Sequence, residues 1–164
     1  MKKLADICRK HKNGGLQGNA ERRQKMLRVL TPNGFQPFDG TRVQKSDSVI
    51  FLSLSDGSEL KCTADHQLRN ADGNFIEAGT LKAGDGLYSK PSTIFVKSIS
   101  KLGNADVYDL LNVANGNAYW TNNLVSHNCV LIDECLAGKE TVDVRRKSDG
   151  KTFRLTMEEF WNML

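Results

Sequence analysis

His127, Asn128 and Cys129 stand in succession, and Cys135 follows six residues after Cys129. An asparagine side-chain amide can attack its own backbone carbonyl, which here would cut the chain at Asn128–Cys129. A cysteine is the better nucleophile as its thiolate, and it can carry an acyl group on sulfur. An imidazole beside these groups can give or take a proton near neutral pH. Two thiols and a cyclising amide this close together suggest that the substrate is the chain's own backbone. Cys135 also opens a run, Cys135-Leu136-Ala137-Gly138, that leads into strand-like sequence.

Something must hold these groups in place, and the bulk properties allow one folded domain. A chain of 164 residues can bury a real core. With 39% apolar and 26% charged residues it reads as an ordinary globular protein. Its apolar runs are too short for a membrane span, and no apolar stretch follows Met1-Lys2-Lys3-Leu4 to make a signal peptide. The four cysteines, Cys8, Cys62, Cys129 and Cys135, lack framework spacing. Reduced, reactive thiols in a cytoplasmic protein are the expectation. Residues 1–30 hold nine Lys and Arg against Asp6 and Glu21, so the net charge of +4 is concentrated there. No aromatic residue interleaves these charges, which makes nucleic acid an unlikely partner.

The elements are mostly strands. Residues 1–30 read as a basic arm, helical and loop-like, with Asn19 as a cap for a helix to about Leu30. Beyond it come short β-type runs at 48–53, 60–63, 75–78, 93–98, 107–113 and 118–121. Asp56-Gly57 and Asp72-Gly73 are hairpin signals. After Cys135, 141–145 and 152–155 form a strand pair about a turn at 148–151. Thr156-Met157-Glu158-Glu159 is a capping box for a last helix, 157–164. The fold class expected is all-β with a few short helices.

Several motifs together resemble the inteins, members of the Hint superfamily. Cys135-Leu136-Ala137-Gly138-Lys139-Glu140-Thr141-Val142 resembles the block that opens an intein. Thr63-Ala64-Asp65-His66 is similar to its Thr-x-x-His block. Leu81-Lys82-Ala83-Gly84-Asp85 resembles the turn that follows, and Val107-Tyr108-Asp109-Leu110 the penultimate block. Asn122-Asn123-Leu124-Val125-Ser126-His127-Asn128-Cys129 resembles the closing block with the first residue beyond it. The resemblance implies a horseshoe-like Hint fold with short helices near a split site.

The blocks are out of order. An intein starts at its Cys and ends at its Asn, but here Cys135 lies after Asn128. The resemblance therefore implies a split intein with its pieces joined in reverse, as in a circular permutation. Residues 1–128 would be the C-terminal piece, with 1–30 as the arm and 31–128 as the β-rich body. Residues 129–134 would be an extein-like linker, and 135–164 the N-terminal piece. There is no room for a homing endonuclease. Val130-Leu131-Ile132-Asp133-Glu134 resembles a Walker B strand of phage terminase large subunits. No Gly-rich Lys-Ser/Thr loop accompanies it, so an ATPase is not expected.

The implied catalytic residues are Cys135, Thr63, His66, Asp109, His127, Asn128 and Cys129. They would carry out protein splicing in cis, with no cofactor and no metal. The partners would be the flanking extein segments, with the 1–128 and 135–164 pieces associating with each other. One family feature is missing. The place of a second His, about ten residues before the terminal Asn, holds Asn117. Other readings of the same residues are a zinc module using Cys62, His66, His127, Cys129 and Cys135, a nucleic-acid-binding β module, and a Cys-His hydrolase without ligation.

Overall fold

The computed structural model describes residues 10–11, 20–127 and 135–164. The expectations placed on Asn128, on Cys129, on the 129–134 linker and on most of the basic arm lie outside the described residues. Fifteen strands and one α-helix are described. In chain order the strands are β1 (Lys10–His11), β2 (Ala20–Arg23), β3 (Leu27–Thr31), β4 (Gly34–Pro37), β5 (Gly40–Leu54), β6 (Glu59–Thr63), β7 (Gln67–Arg69) and β8 (Phe75–Glu77). They continue with β9 (Gly86–Leu87), β10 (Ile94–Leu111), β11 (Ala118–Thr121), β12 (Leu124–His127), β13 (Leu136–Ala137), β14 (Thr141–Arg146) and β15 (Thr152–Thr156), followed by α1 (Met157–Met163).

The all-β expectation holds, and both Asp-Gly turns join strands as expected, β5 to β6 and β7 to β8. The helix expected up to Leu30 is a correction. Residues 20–23 and 27–31 are strands, not helix. Ala20–Arg23 pair with β5 from Val43 to Gly40. Glu21 is buried there against Arg42 and Arg23. Burial raises its carboxyl pKa, but the two guanidiniums outweigh that and hold it below the usual value. Arg42 and the β5 pairing partners lie about 20 positions onward, so local helix propensity has no say in them. β3 alternates buried and exposed residues, the period of a strand with one face inward.

Two long strands organise the molecule. β5 and β10 pair antiparallel along most of their length, with irregularities between Val96 and Ser98 and between Lys101 and Ala105. β6 returns beside β5, and β13 lies between β6 and β10. Since β5 pairs with both β6 and β10, the two-residue β13 closes a ring of pairings. A second sheet runs β11-β12-β7-β8, and a third runs β15-β14-β3-β4.

Residues 135–164 are built into the body of the protein. β13 enters the first sheet, and β14 pairs with β3 through Val144↔Val29. α1 begins at Thr156, whose hydroxyl accepts the Glu159 N–H, while the Glu159 carboxylate accepts the Thr156 N–H. Such a cap stabilises by about 1 kcal/mol. The helix buries Met157 and Phe160, the latter against Phe38 at 5.7 Å between ring centroids. A fully buried Phe contributes about 1.5–3 kcal/mol. Glu140, also buried, accepts the Lys61 N–H at 2.8 Å and an amide hydrogen of Asn122. It thus fastens the β13–β14 turn to β6 and to the β11–β12 turn. Burial raises its pKa, opposed by those same hydrogen bonds. Gly138 has no room for a side chain, since a Cβ there would meet the Tyr108 ring at 3.1 Å and the Glu158 Cβ at 3.2 Å.

Candidate active site

The registers around β13 decide what meets Cys135. Leu136 pairs with Cys62 on β6 and with Tyr108 on β10. One further step along both ladders sets Cys135 between Thr63 and Asp109. Residues opposed in an antiparallel ladder share a face, and their neighbours take the other. Cys62, Leu136 and Tyr108 accordingly lie in the main core, whereas Cys135 packs with Val49 and Val107 in a separate small cluster. The zinc set is split by this alternation, because Cys62 and Cys135 face opposite ways. Among the described residues, no group of three or more His, Cys, Asp and Glu is placed to hold a metal.

Thr63 grips the start of β13 in three ways. Its Oγ1 accepts the Cys135 N–H at 2.9 Å, its own N–H donates to the Cys135 carbonyl at 2.8 Å, and its hydroxyl lies 3.4 Å from that carbonyl. The Cys135 N–H belongs to the Glu134–Cys135 peptide bond. Gln44 on β5 places its Nε2 3.3 Å from the Cys135 sulfur. Cys135, Thr63, Gln44 and Asp109 are all buried.

His66 follows one tight turn after Thr63, its N–H bonded to the Thr63 carbonyl at 3.1 Å. Its Nε2 lies 2.9 Å from the Ser126 hydroxyl. Among the described residues, its Nδ1 is buried without a hydrogen-bond partner. Burial first, and the nearby His127 second, push its pKa down to about 3, so the imidazole is neutral at pH 7. His127 ends β12, partly exposed, its ring 4.8 Å from that of Phe75. Partial burial lowers its pKa as well. The pairing of β12 with β7, Ser126↔Leu68 and His127↔Gln67, delivers both residues to the His66 turn.

Of the seven expected site residues, the structure gathers Cys135, Thr63, His66, Asp109 and His127 around the end of β13 and the end of β12. Asn117, at the place of the absent second His, has a left-handed backbone at φ +55° and bonds through its N–H to the Val113 carbonyl. Three further residues belong to the site. Gln44 touches the Cys135 sulfur. Ser126 sits on His66. Tyr119, fully buried opposite Ser126 in register, has its phenol pKa raised by burial first, then by Asp109 and the Cys135 and Cys62 thiols. Ser126 could have been noticed as the polar residue in Val125-Ser126-His127. Gln44 carries no local signal at all.

No family model and no curated protein matches the chain. Solved structures do. A consensus engineered intein with an atypical split site is 37% identical to it, with 62% of this chain and 81% of that one covered at a TM-score of 0.51. The chain belongs to the inteins. Two other inteins share the fold. The gp41-1 intein, 22% identical, covers 70% of this chain and 84% of its own at a TM-score of 0.52. The TvoVMA intein, 20% identical, covers 76% and 81% at a TM-score of 0.65. The horseshoe-like Hint architecture expected from the motifs is therefore the fold observed. Intein membership supports autocatalytic protein splicing as the general activity. No described helix is long and apolar enough to cross a membrane.

Proposed function

We propose that this intein splices its own backbone across the 129–134 segment, starting at Cys135. The observation that carries the proposal is the placement of Cys135: its scissile N–H rests on Thr63, and the register of β13 with β10, continued by one residue, points to Asp109 on its other flank.

The Cys135 sulfur attacks the Glu134 carbonyl carbon. The Glu134–Cys135 amide breaks, a thioester forms, and the Cys135 nitrogen leaves as an amine that must gain a proton. An amide is more stable than a thioester, so the site has to polarise the bond. Thr63 holds the nitrogen in place. His66 carries the proton from the thiol to the amine. Burial pushes its pKa down to about 3, so a proton held on this imidazole passes readily to the departing amine. Its Nδ1, without a partner among the described residues, is the atom open to this exchange.

Cys129 then attacks the thioester, and Asp109 takes its proton. This passes the Glu134 acyl group to the Cys129 sulfur and frees the Cys135 thiol. The Asn128 side-chain nitrogen next attacks the Asn128 carbonyl, the Asn128–Cys129 bond breaks, and His127 protonates the leaving amine. A sulfur-to-nitrogen shift joins Glu134 to Cys129 by an ordinary amide. The products are a cyclic 129–134 peptide and an associated pair of pieces, 1–128 and 135–164. That pair corresponds to a split intein joined in reverse, with Val130–Glu134 as the remnant of a terminase-like flank. Tethering supplies an effective molarity of roughly 10⁵ M or more where groups are aligned.

The pairing of β14 with β3 and the anchoring of Glu140 support the association of the two pieces, since these contacts do not pass through residues 128–134. Intact-mass spectrometry after incubation with reductant at neutral pH tests the whole scheme. Loss of 129–134, abolished by Cys135→Ala and by Asn128→Ala, is expected. An unchanged mass, even with hydroxylamine present, would rule splicing out for this chain.

A further inference from the structure

Cys135 occupies an unfavourable place for a nucleophilic sulfur. It is buried and packs with Val49 and Val107, with Ala105 alongside. A thiolate in apolar surroundings loses the solvation that water would give it. Attack on the Glu134 carbonyl requires negative charge on that sulfur, so the site must offer it a donor. Gln44 is placed to do so. It is buried on β5, opposite Val107, and its Nε2 stands 3.3 Å from Sγ. That lies within the reach of a hydrogen bond to sulfur, which is longer than one to oxygen.

We propose that Gln44 is a further catalytic residue, its side-chain amide donating a hydrogen bond that stabilises the Cys135 sulfur as an anion during attack. The proposal rests on Cys135 being the splicing nucleophile. An amide suits the role for two reasons. A hydrogen bond to a charged acceptor is roughly twice as strong as one to a neutral acceptor, so the donor favours the reacting form over the resting thiol. It also carries no charge and no exchangeable protonation state near pH 7, so it cannot be lost by titration. Charged and titratable groups also lie on the elements around Cys135. β10 contributes Asp109 and β5 contributes Arg42, opposite Asp109 and engaged with Glu21. The turn after β6 contributes His66, and β11 contributes Tyr119.

The full chain carrying Asn128→Ala and Cys129→Ala stops after the first acyl shift and isolates this step. Labelling cysteine at ¹³Cβ reports the ionisation of Cys135 by NMR whether or not any bond breaks, with Cys135→Ser assigning the signal. The Gln44 side-chain amide protons report from the other end of the hydrogen bond, without any substitution of Gln44. They are expected to move with the same midpoint as the Cys135 carbon. Gln44→Met keeps the length and removes the donor. It should raise the Cys135 midpoint by about one unit and slow hydroxylamine cleavage at Glu134–Cys135 about tenfold at pH 7. The deficit should close as the pH rises past the midpoint.

Gln44 amide protons that ignore the Cys135 titration would overturn the proposal, even if Gln44→Met fails to fold. So would a Gln44→Met deficit that is equal at every pH, as a packing defect gives. Cleavage with uncoupled titrations would remove Gln44 alone. Coupled titrations with no cleavage dependent on Cys135 would remove Cys135 as nucleophile, and the catalytic role of Gln44 with it.

Discussion

Cys62 and Cys135 are both fully buried, and one step of register separates them. Cys62 faces the main core with Leu136 and Tyr108. Burial drives its thiol pKa far up, and the carboxylates of Glu140 and Asp65 add to the rise. Cys135 faces the other side, with Thr63 on its backbone N–H, Gln44 on its sulfur and Asp109 across the ladder. Burial by itself makes a thiol inert. The difference here comes from which face of the pleat each residue takes, since a shift of one residue exchanges the two environments.

The sharpest way to break this contrast is to delete each thiol. Cys135→Ala should abolish hydroxylamine cleavage at Glu134–Cys135, a loss of about 10³-fold or more. Cys62→Ala should leave the cleavage rate unaltered, as read by mass spectrometry. Equal losses would show that the two faces are not distinct. His66→Ala should slow the first step by about 10²–10⁴-fold, the usual worth of acid–base assistance. Thr63→Val, which keeps the shape and removes the hydrogen-bond acceptor, should cost about tenfold. Single-turnover cleavage rates rank the two.

Acid should separate the faces thermodynamically. The folded pKa of His66 lies near 3, below the 6.5 of an unperturbed imidazole. Between these values the unfolded chain binds a proton that the folded chain refuses. Stability from this group is therefore complete above about pH 6.5 and falls as the pH drops toward 3, by up to about 1.4 kcal/mol per unit. Urea unfolding between pH 4 and 7 measures the slope. His66→Gln should flatten it, and an unchanged slope would show that His66 is not the group responsible. On the core face, Cys62→Ala should cost about 1–2 kcal/mol of stability through the small cavity it leaves. Last comes the cap of α1, remote from both cysteines. Thr156→Ala should cost about 1 kcal/mol in urea unfolding, with no effect on cleavage.

Much of this arrangement could be read from short-range pattern. The Asp-Gly pairs gave the hairpins, alternation in 141–145 gave β14, and Thr156 with Glu159 gave the helix start. The opposition of Cys62 and Thr63 follows from strand period alone. What could not be read depends on distant partners. Ala20-Glu21-Arg22-Arg23 is helix-compatible sequence, and its pairing with β1 and β5, with Glu21 against Arg42, makes it a strand. Leu27–Thr31 has the alternating burial of a strand, whereas the cap at Asn19 points to a helix. Gln44 is one polar residue in a 15-residue strand, and nothing near it in sequence marks its contact with a sulfur 91 positions away. Tyr119 is of the same kind, an aromatic whose meaning comes from what sits across the sheet.

The interposed strand β13 has a consequence in time. Its two residues have no partner of their own until β6 and β10 stand on either side, and Thr63 is 72 positions from Cys135. Pairings of such long range are slow to form, because the intervening chain must first be ordered. Until then Glu134–Cys135 is an ordinary peptide bond next to an ordinary thiol. Under the proposed splicing, cutting at Glu134–Cys135 would have to wait until β13 has paired with β6 and β10.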